Sequence, residues 1–490
     1  MKTIKISIIY FFIIWVCSCN QKTKEDVFSK RINNYLIACE TNGFSGSLLI
    51  SKKHNIIFNK GYGLANKEKE IQNSPEIVVD ISSVTKQFTA TSILKLTEQG
   101  LLNLRDSLSL YFKNIPKDKR DITIHQLLTH SAGLVFGIGE GDFDQIPTEQ
   151  YFQQLFNTEL LHAPGSKYEY SNAGYSVLGR IIEIVTEKNY ETYLKEEIFQ
   201  VAGMQQTGYL LPDWNADLVA NEYYFNVINK GSQIEKYQRD GKIAWPLKAN
   251  GGINSTLKDM YKWYQALDDK KIISASSLEM LTTPYIKEYE NGNSYYAYGW
   301  VTFQSDRGTK VITHNGFNGV SYFDVVWLPE EDIVILFASN SFTSGVSDIA
   351  WEVEKMIFEE NYTPEHIQKD THSEILELSE NYKGNIDHLS NELEKAFSSK
   401  IKNVFNLDRL ARMYINEKEY DKALSFTELN NKLYPNEGVI WDTMGEIYFE
   451  TNQRDKAIHC FNKALELKSE DSFCFWCEHS SKQLEKLKLQ

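Results

Sequence analysis

The sequence predicts an α+β protein: an antiparallel sheet flanked by helices, with a helical lobe beside it, followed by an all-α repeat domain. Three observations lead to this prediction. Strand-like segments stand at both ends of residues 28–362, with helical and loop segments between them. Residues 401–490 show a repeating helical pattern instead. A chain of 490 residues is also too long for one ordinary hydrophobic core.

The first residues have the features of an export signal. Lys2 and Lys5 precede an apolar run over residues 8–16, which is too short to span a bilayer. The run ends in VCSC, which resembles the lipobox of bacterial lipoproteins, whose last cysteine is the point of cleavage and lipidation. We therefore expect a lipoprotein-type signal peptide over residues 1–18, lipidation at Cys19 and a polar tether over residues 19–27. The alternative is an ordinary secretory signal that is cut nearby.

These features predict an exported protein of the bacterial cell envelope. It would be held at the membrane by its lipid anchor alone, facing the periplasm or the outer surface.

Residues 28–362 carry the pattern of the α+β domain. A helix that begins near Asp26 and ends at Cys39 is followed by two strands, SGSLLIS and IIFNKGYG, joined by a short polar turn. Helices and loops then occupy roughly residues 80–290. Strands return in AYGWVTF, TKVITH, VSYFDVVWL and IVILFAS, before a closing helix over residues 351–359. The cleft between such a sheet and the helical lobe is the natural place for an active site.

Residues 401–490 carry a repeated pattern of paired helices. WDTMGEIYF and DKAIHCFNKALEL resemble the two helices of one tetratricopeptide repeat, and a shift by the period of about 34 residues finds an earlier one. We expect two repeats with a capping helix over residues 473–489, after a helical linker over residues 363–400 that could be an imperfect first repeat. A plain helical hairpin extension is the alternative. The signature positions are Trp441, Gly445, Tyr448, Ala457, Phe461 and Ala464, and before them Ala411, Tyr414, Asp421, Lys422, Ala423 and Pro435.

Composition excludes some classes of partner and site. The net charge of −14 argues against a nucleic-acid partner, since phosphate binding needs a basic surface. The cysteines beyond the signal are too few for a disulfide framework. Cys474 and Cys477 form a lone C-x-x-C without the second pair that a zinc site needs, so we interpret them as helix-packing residues. No metal or cofactor is predicted.

Three short motifs carry candidate chemistry. The segment SVTK opens a helix with Ser83 and Lys86 one turn apart, so that both side chains point the same way. A buried lysine is costly unless its charge is used or removed. The motif YSN (Tyr170 to Asn172) leads into a second helix, and HNG (His314 to Gly316) ends a strand. The S-x-x-K spacing alone is not specific, because it recurs at Ser92, Ser255 and Ser399.

Taken together, the motifs resemble the serine beta-lactamase and penicillin-binding superfamily. The resemblance is to the class C branch, which includes D,D-peptidases, D-aminopeptidases and esterases. It covers roughly residues 28–360 and implies a beta-lactamase/transpeptidase-like fold. Supporting stretches are LLTHSAGL (127–134), YSNAGYSVLGRIIE (170–183), AGMQQTG (202–208) and NGGINSTLKDM (250–260).

The resemblance implies a serine hydrolase that forms an acyl-enzyme. Ser83 would attack a carbonyl, while Lys86 and Tyr170 share proton transfer, and which of these two is the general base stays open. The backbone N–H groups of Ser83 and Phe317 would form the oxyanion hole, in which one donor is typically worth about 3 kcal/mol. Asn172 would hold the Lys86 ammonium and a substrate amide. The other residues expected to contact substrate are His314, Asn315 and Gly316, the glycine letting substrate approach the strand edge.

Simpler interpretations exist for single residues. In isolation, Ser83 would be a helix N-cap and Tyr170 a core aromatic residue. His130 lies in a family stretch but outside the three motifs, so we interpret it as a structural hydrogen-bonding residue.

The substrate is less well specified than the chemistry. The resemblance implies lysine at the place of His314 in beta-lactamases of this branch, whereas histidine resembles its D,D-peptidases and esterases. A D-amino-acid peptide, an ester or a beta-lactam would fit, with beta-lactam hydrolysis the secondary prediction. Because histidine has an ordinary pKa of about 6.5, we expect its protonation below that pH to tighten binding of an anionic substrate.

A different class of function is the alternative. The hydrolase domain could be a non-catalytic, penicillin-binding-like sensor while the repeats dock a protein partner. The presence of all the motif residues, serine, lysine, tyrosine, asparagine and H-x-G, argues against a domain that has lost its catalytic activity.

Overall fold

The computed structural model describes residues 27–139, 141–468 and 474–489. The chain divides into two compact units after Gln368, and each is described by itself. The expected signal peptide, the lipidation site Cys19 and most of the tether lie outside the described residues. Within the described ranges, no helix has the length and apolar character that crossing a bilayer would require.

The strands of the first unit fall at the two ends of its sequence, as expected, with short ribbons between them. In chain order they are β1 (Gly46–Lys52), β2 (Asn55–Tyr62), β3 (Leu64–Asn66), β4 (Ile71–Gln72), β5 (Val79–Asp80), β6 (Glu222–Tyr224), β7 (Ile228–Gly231), β8 (Asn254–Ser255), β9 (Ile286–Lys287), β10 (Tyr295–Tyr296), β11 (Val301–Gln304), β12 (Lys310–Phe317), β13 (Tyr322–Leu328) and β14 (Ile333–Ser339).

Most of the helices of the first unit lie between the two groups of strands. They are α1 (27–41), α2 (Thr85–Glu98), α3 (Ile124–Leu128), α4 (Thr148–Phe156), α5 (Asn172–Thr186), α6 (Tyr190–Leu194), α7 (Gln200–Ala202), α8 (Gln233–Asp240), α9 (Leu257–Asp268), α10 (Ala275–Leu281) and α11 (Ile349–Phe358).

One eight-stranded antiparallel sheet organises this unit, in the order β2-β1-β14-β13-β12-β11-β10-β9. Alternate residues of a strand face opposite sides, so β1 contributes to two cores. Leu48 and Ile50 pack with α1 and α11 on one face, while Leu49 packs with α2 and α9 on the other. β13 and β14 are buried along their whole length because helices cover both faces. The predicted fold class is confirmed.

The second unit is all-α. Its helices are α12 (Thr371–Asn381), α13 (Leu389–Phe397), α14 (Val404–Asn416), α15 (Tyr420–Leu433), α16 (Gly438–Glu450), α17 (Arg454–Glu466) and α18 (Phe475–Leu489). The starts of α12, α14 and α16 are spaced close to the period of about 34 residues. A Cβ on Gly445 would lie 2.7 Å from the ring of Phe461, so this signature glycine lets α16 and α17 pack closely.

Two features of the C-terminal region differ from the sequence-based interpretation. Cys474 and Cys477 are joined by a disulfide bond at the start of α18, in addition to packing beside Trp476. The segment over residues 363–400, interpreted as a helical linker or an imperfect first repeat, contains the helix pair α12–α13, which belongs to the second unit. Residues up to Gln368 belong to the first unit, where Ile367 is buried.

Candidate active site

Ser83 lies on a single 3₁₀ turn, residues Ser82–Val84, which leads directly into α2. The turn begins with Ser82 in the left-handed region of backbone conformation (φ 47°). A residue other than glycine adopts this conformation only where surrounding contacts hold it there. From Thr85 to Leu94 every residue of α2 is buried. The nucleophile candidate therefore stands at the start of a rigid, fully packed helix.

Lys86 lies one turn further along α2 and is completely buried. Its Nζ lies 3.1 Å from Ser83 Oγ, 2.8 Å from Asn172 Oδ1 and 2.6 Å from the main-chain oxygen of Asn250. The same Nζ lies over the ring of Tyr170, 4.8 Å from its centroid. The structure thus brings together the serine, the lysine and the asparagine that the motifs predicted.

Burial lowers the pKa of Lys86 well below that of an ordinary lysine, and the carboxylate of Asp142 only partly opposes this effect. The neutral amine fits the contacts. It has two N–H groups, which match the oxygens of Asn172 and Asn250, and one lone pair, which can accept the Ser83 hydroxyl proton. This arrangement suits a general base.

Tyr170 immediately precedes the N-terminal region of α5. Burial raises the pKa of Tyr170 above its ordinary value, and an interaction with Ser83 only partly opposes this effect. The phenolate is therefore disfavoured, and the hydroxyl suits proton relay better than proton abstraction. Asn172 is the first residue of α5, behind Ser171, whose side chain accepts from Gly174 N and caps the helix.

His130 has the structural role expected of it. Its Nδ1 accepts the Ser171 N–H at 3.0 Å, which fixes the residue between Tyr170 and Asn172. Its ring lies 4.2 Å from that of Tyr170, centroid to centroid. Burial, the largest effect, together with the neighbouring Lys86 and His314, lowers the pKa of His130 well below its ordinary range, so it contributes as a neutral ring.

His314 differs from expectation. Its Nδ1 donates to the main-chain oxygen of Asn315 at 2.7 Å, and its Nε2 accepts from the Tyr296 hydroxyl at 3.1 Å. Burial, followed by the charge of Lys86, lowers the pKa of His314 to about 3. The expectation that it protonates below about pH 6.5 is therefore wrong, because a buried ring beside Lys86 stays neutral.

The side chains of β12 alternate between the two faces of the sheet. His314 and Gly316 are buried, whereas Asn315 and Phe317 are exposed. Asn315 donates to the Tyr322 hydroxyl at 3.3 Å, and Phe317 packs against Phe342 at 4.6 Å between ring centroids. The Asn315 side chain thus belongs to the face opposite His314, which gives it no place in a substrate site on the α2 side.

Gly316 is needed for a different reason from the one expected. A Cβ at this position would lie 2.1 Å from the main-chain oxygen of Ile81 and 3.0 Å from Ser82 Cβ. The glycine therefore lets β12 pass directly against the backbone that leads to Ser83, and it is protein rather than substrate that a side chain would meet. This close approach brings β12, at the residue before Phe317, against the nucleophile turn.

Two groups of the site were missed by the sequence analysis. The main-chain oxygen of Asn250 accepts from Lys86, although only the surrounding stretch had been noted. The asparagine is oriented by its own side chain, which donates to Ser176 Oγ and to Pro246 O. Tyr296, on the short strand β10, contacts His314 and has no motif of its own.

Two carboxylates act on the site electrostatically. Asp142 interacts with Lys86, and Glu288 interacts with Tyr170 while accepting a hydrogen bond from Tyr168 at 3.4 Å. Desolvation raises the pKa of both acids. Within the described residues, the candidate metal ligands that lie together are instead on the surface, at His54, Asp268 and Asp332, and none of these belongs to the three motifs.

Comparisons with known proteins identify the families to which the two regions of the chain are similar. The Beta-lactamase family model matches residues 37–355, and a Tetratricopeptide repeat model matches residues 439–471. The putative penicillin-binding protein PbpX of Bacillus subtilis is 30% identical over 333 residues, which cover 68% of this chain and 79% of that protein.

Solved structures of penicillin-binding proteins have a similar fold. The octameric penicillin-binding protein homologue from Pyrococcus abyssi has a TM-score of 0.58 and 26% identity, over 72% of this chain and 82% of its own. A penicillin-binding protein from Bacillus halodurans has a TM-score of 0.56 and 25% identity, over 66% of this chain and 98% of its own. The chain therefore belongs to the beta-lactamase family, together with penicillin-binding proteins, and carries a C-terminal tetratricopeptide repeat region.

Proposed function

We propose that this protein is a serine hydrolase that cleaves an ester or amide through an acyl-enzyme on Ser83. The observation that carries the proposal is the contact of Lys86 Nζ with Ser83 Oγ at 3.1 Å, combined with the complete burial of Lys86. A serine is a weak nucleophile until an adjacent base takes its proton. The buried amine is such a base.

The proposed acylation step begins when Ser83 Oγ attacks the substrate carbonyl carbon and its proton passes to Lys86 Nζ. The N–H groups of Ser83 and Phe317 stabilise the resulting oxyanion. When the intermediate collapses, the proton on Lys86 passes to the leaving group, and Tyr170, whose ring centroid lies 4.8 Å from Lys86 Nζ, is the proposed relay. Water then hydrolyses the acyl ester by the same route, with Lys86 again accepting the proton.

For the substrate, we propose an ester or a D-amino-acid peptide whose flanking group carries no carboxylate, in preference to a beta-lactam. His314 is neutral, so it offers no charge to the carboxylate of a beta-lactam. Glu288 instead places a carboxyl group beside Tyr168 and Tyr170. This electrostatic arrangement favours a substrate whose flanking group is neutral or carries an amine.

We also propose that the protein acts at the cell envelope, anchored through Cys19, with the repeats binding a protein partner. The lipobox-like VCSC and the helical repeats support these two proposals. Fractionation of cells that express the Cys19→Ala variant tests the anchor, and unchanged membrane association of this variant would contradict it.

The enzymatic proposal is tested with a panel of a small ester, a D-Ala–D-Ala peptide with an amidated C-terminus and a cephalosporin. The wild-type protein should turn over the ester or the peptide, and Ser83→Ala should lower that turnover by several orders of magnitude. Ser92→Ala is the matched control, since Ser92 has the same S-x-x-K spacing but bonds only the Phe88 carbonyl within α2. A Ser83→Ala protein that keeps most of the activity would refute the proposal.

A further inference from the structure

A network of buried polar side chains lies behind the nucleophile turn, outside the three motifs. Asp80, at the end of β5, accepts from Ser82 N at 2.7 Å through Oδ1 and from Ser82 Oγ at 3.0 Å through Oδ2. Both bonds hold the residue immediately before Ser83, the one with positive φ. One carboxylate therefore fixes the direction from which the chain enters the nucleophile position.

The same carboxylate reaches the end of β12. Asn318, the residue after Phe317, donates from Nδ2 to Asp80 Oδ2 at 2.7 Å. Its Oδ1 accepts the N–H groups of Val320 and Ser321 at 2.9 and 2.8 Å, which stabilises the turn into β13. Asn318 is thus bonded both to its own turn and to the acid that holds Ser82.

Glu222 completes the network from β6. It accepts from Asn318 Nδ2 and from Ser321 Oγ through Oε1, and from Gln233 Nε2 through Oε2. Asp80 and Glu222 are both buried, at 6% and 4% exposure. Burial and the charge of Glu222 raise the pKa of Asp80 above its ordinary value. Two buried acids around one amide are costly to keep, because each must find its donors inside the protein.

We propose that Asp80 and Asn318 are positioning residues that hold the two oxyanion donors, Ser83 N–H and Phe317 N–H, at a fixed separation. The inference rests on the proposed function. Ser82 precedes one donor and Asn318 follows the other, and a single carboxylate bonds both neighbours. A preorganised hole acts on the transition state rather than on bound substrate, so loosening it lowers kcat more than it changes KM.

The test compares Asn318→Ala, Asp80→Asn and the double variant in the full-length protein. The readouts are kcat and KM for a neutral ester, the Ki of an arylboronic acid that forms a tetrahedral adduct on Ser83, and the melting temperature. Asn318→Ala should lower kcat about tenfold to a hundredfold and leave KM within about twofold, since a misplacement of about 1 Å costs up to a hundredfold. The boronic acid Ki should rise by the same factor. The double variant should lose no more activity than the more damaging of the two single variants, because either change breaks the same connection.

Asn103→Ala is the matched control. Asn103 Oδ1 accepts Arg105 N at 2.9 Å, so this variant loses a similar asparagine turn without touching the network. Equal effects of Asn318→Ala and Asn103→Ala, additive losses in the double variant, or a change confined to KM would overturn the proposal. If Asp80→Asn does not fold, Ser82→Ala replaces it in the comparison of single and double variants, because it removes the hydrogen bond from Ser82 Oγ to Asp80. Ser83→Ala is measured in parallel. Turnover retained in Ser83→Ala would refute the proposed function itself, whereas loss of turnover there leaves only the positioning proposal in question.

Discussion

At the scale of single residues, the protonation state of Lys86 decides how the site works. Its burial lowers its pKa, so the neutral amine that abstracts a proton is present once the pH rises through that lowered value. Activity should therefore rise with pH along an acid limb that Lys86 sets. His314 should add no second limb between pH 5.5 and 8, because its pKa lies near 3.

The first prediction replaces this base. Lys86→Arg keeps a cation that cannot lose its proton near neutral pH, so kcat should fall by about a thousandfold or more. Steady-state turnover of a small ester from pH 5 to 9 measures the effect. Lys95→Arg is the control, since Lys95 has the same spacing in S-x-x-K and pairs with Glu197 at 2.9 Å. Near wild-type activity in Lys86→Arg would remove lysine from the base role.

The second prediction concerns substrate charge. Glu288→Gln removes the carboxylate beside Tyr168 and Tyr170, so the KM of an aminoacyl ester should rise about threefold to tenfold. The KM of a neutral ester should change by less than about twofold. Glu290→Gln alters an exposed neighbouring acid and serves as the control. Parallel changes for both esters would show that Glu288 does not select charge.

Sequence could identify Ser83, Lys86, Tyr170 and Asn172 because each lies in a short motif whose spacing fixes its direction. It could not identify the oxygen of Asn250, since every residue has a main-chain carbonyl and only the fold decides which one meets Lys86. The neutral state of His314 was equally hidden, because it depends on surrounding residues.

At the scale of secondary-structure elements, the site depends on the contact between β12 and the turn before α2. Strand alternation alone would have separated His314 from Asn315, since neighbouring residues of a strand face opposite sides. The role of Gly316 could not be predicted in this way. Its partner, the oxygen of Ile81, is distant in sequence and comes close only in the folded sheet.

The third prediction acts on this contact. Gly316→Ala would place Cβ 2.1 Å from the Ile81 oxygen, so β12 must move away from the nucleophile turn. We expect kcat to fall by about a hundredfold and stability by about 1–3 kcal/mol. Ester turnover and thermal unfolding are the measurements. Gly137→Ala is the stability control, since a Cβ there meets no atom within 4 Å. If both variants behaved alike, the close approach would not matter.

At the scale of the whole molecule, the residues of the catalytic proposal lie within the first unit, and the repeats form the second. The predicted fold class is confirmed for both units, because the hydrophobic periodicities of helices and strands differ clearly in the sequence. The exact end of the hydrolase unit was harder to predict. Residues 363–368 look like a polar linker, yet Ile367 is buried and Glu365 N donates to Glu352 at 2.7 Å.

The fourth prediction follows from this boundary. A chain that ends at Gln368 should fold and keep ester turnover within about twofold, since it retains the complete first unit. A chain that ends at Tyr362 should melt at a lower temperature, because it loses the buried Ile367. Circular dichroism melting and ester kinetics on both chains measure this. Loss of turnover in a well-folded chain ending at Gln368 would show that the repeats shape the active site.

The fifth prediction is the acyl-enzyme itself, which is the central claim. The wild-type protein is mixed with a slowly deacylating aryl ester, quenched in acid during the initial burst, and digested for peptide mapping by mass spectrometry. We expect one acyl group per chain, on the Ser83 hydroxyl, and no adduct in Ser83→Ala. An adduct on another residue, or unchanged ester turnover in Ser83→Ala, would contradict the account.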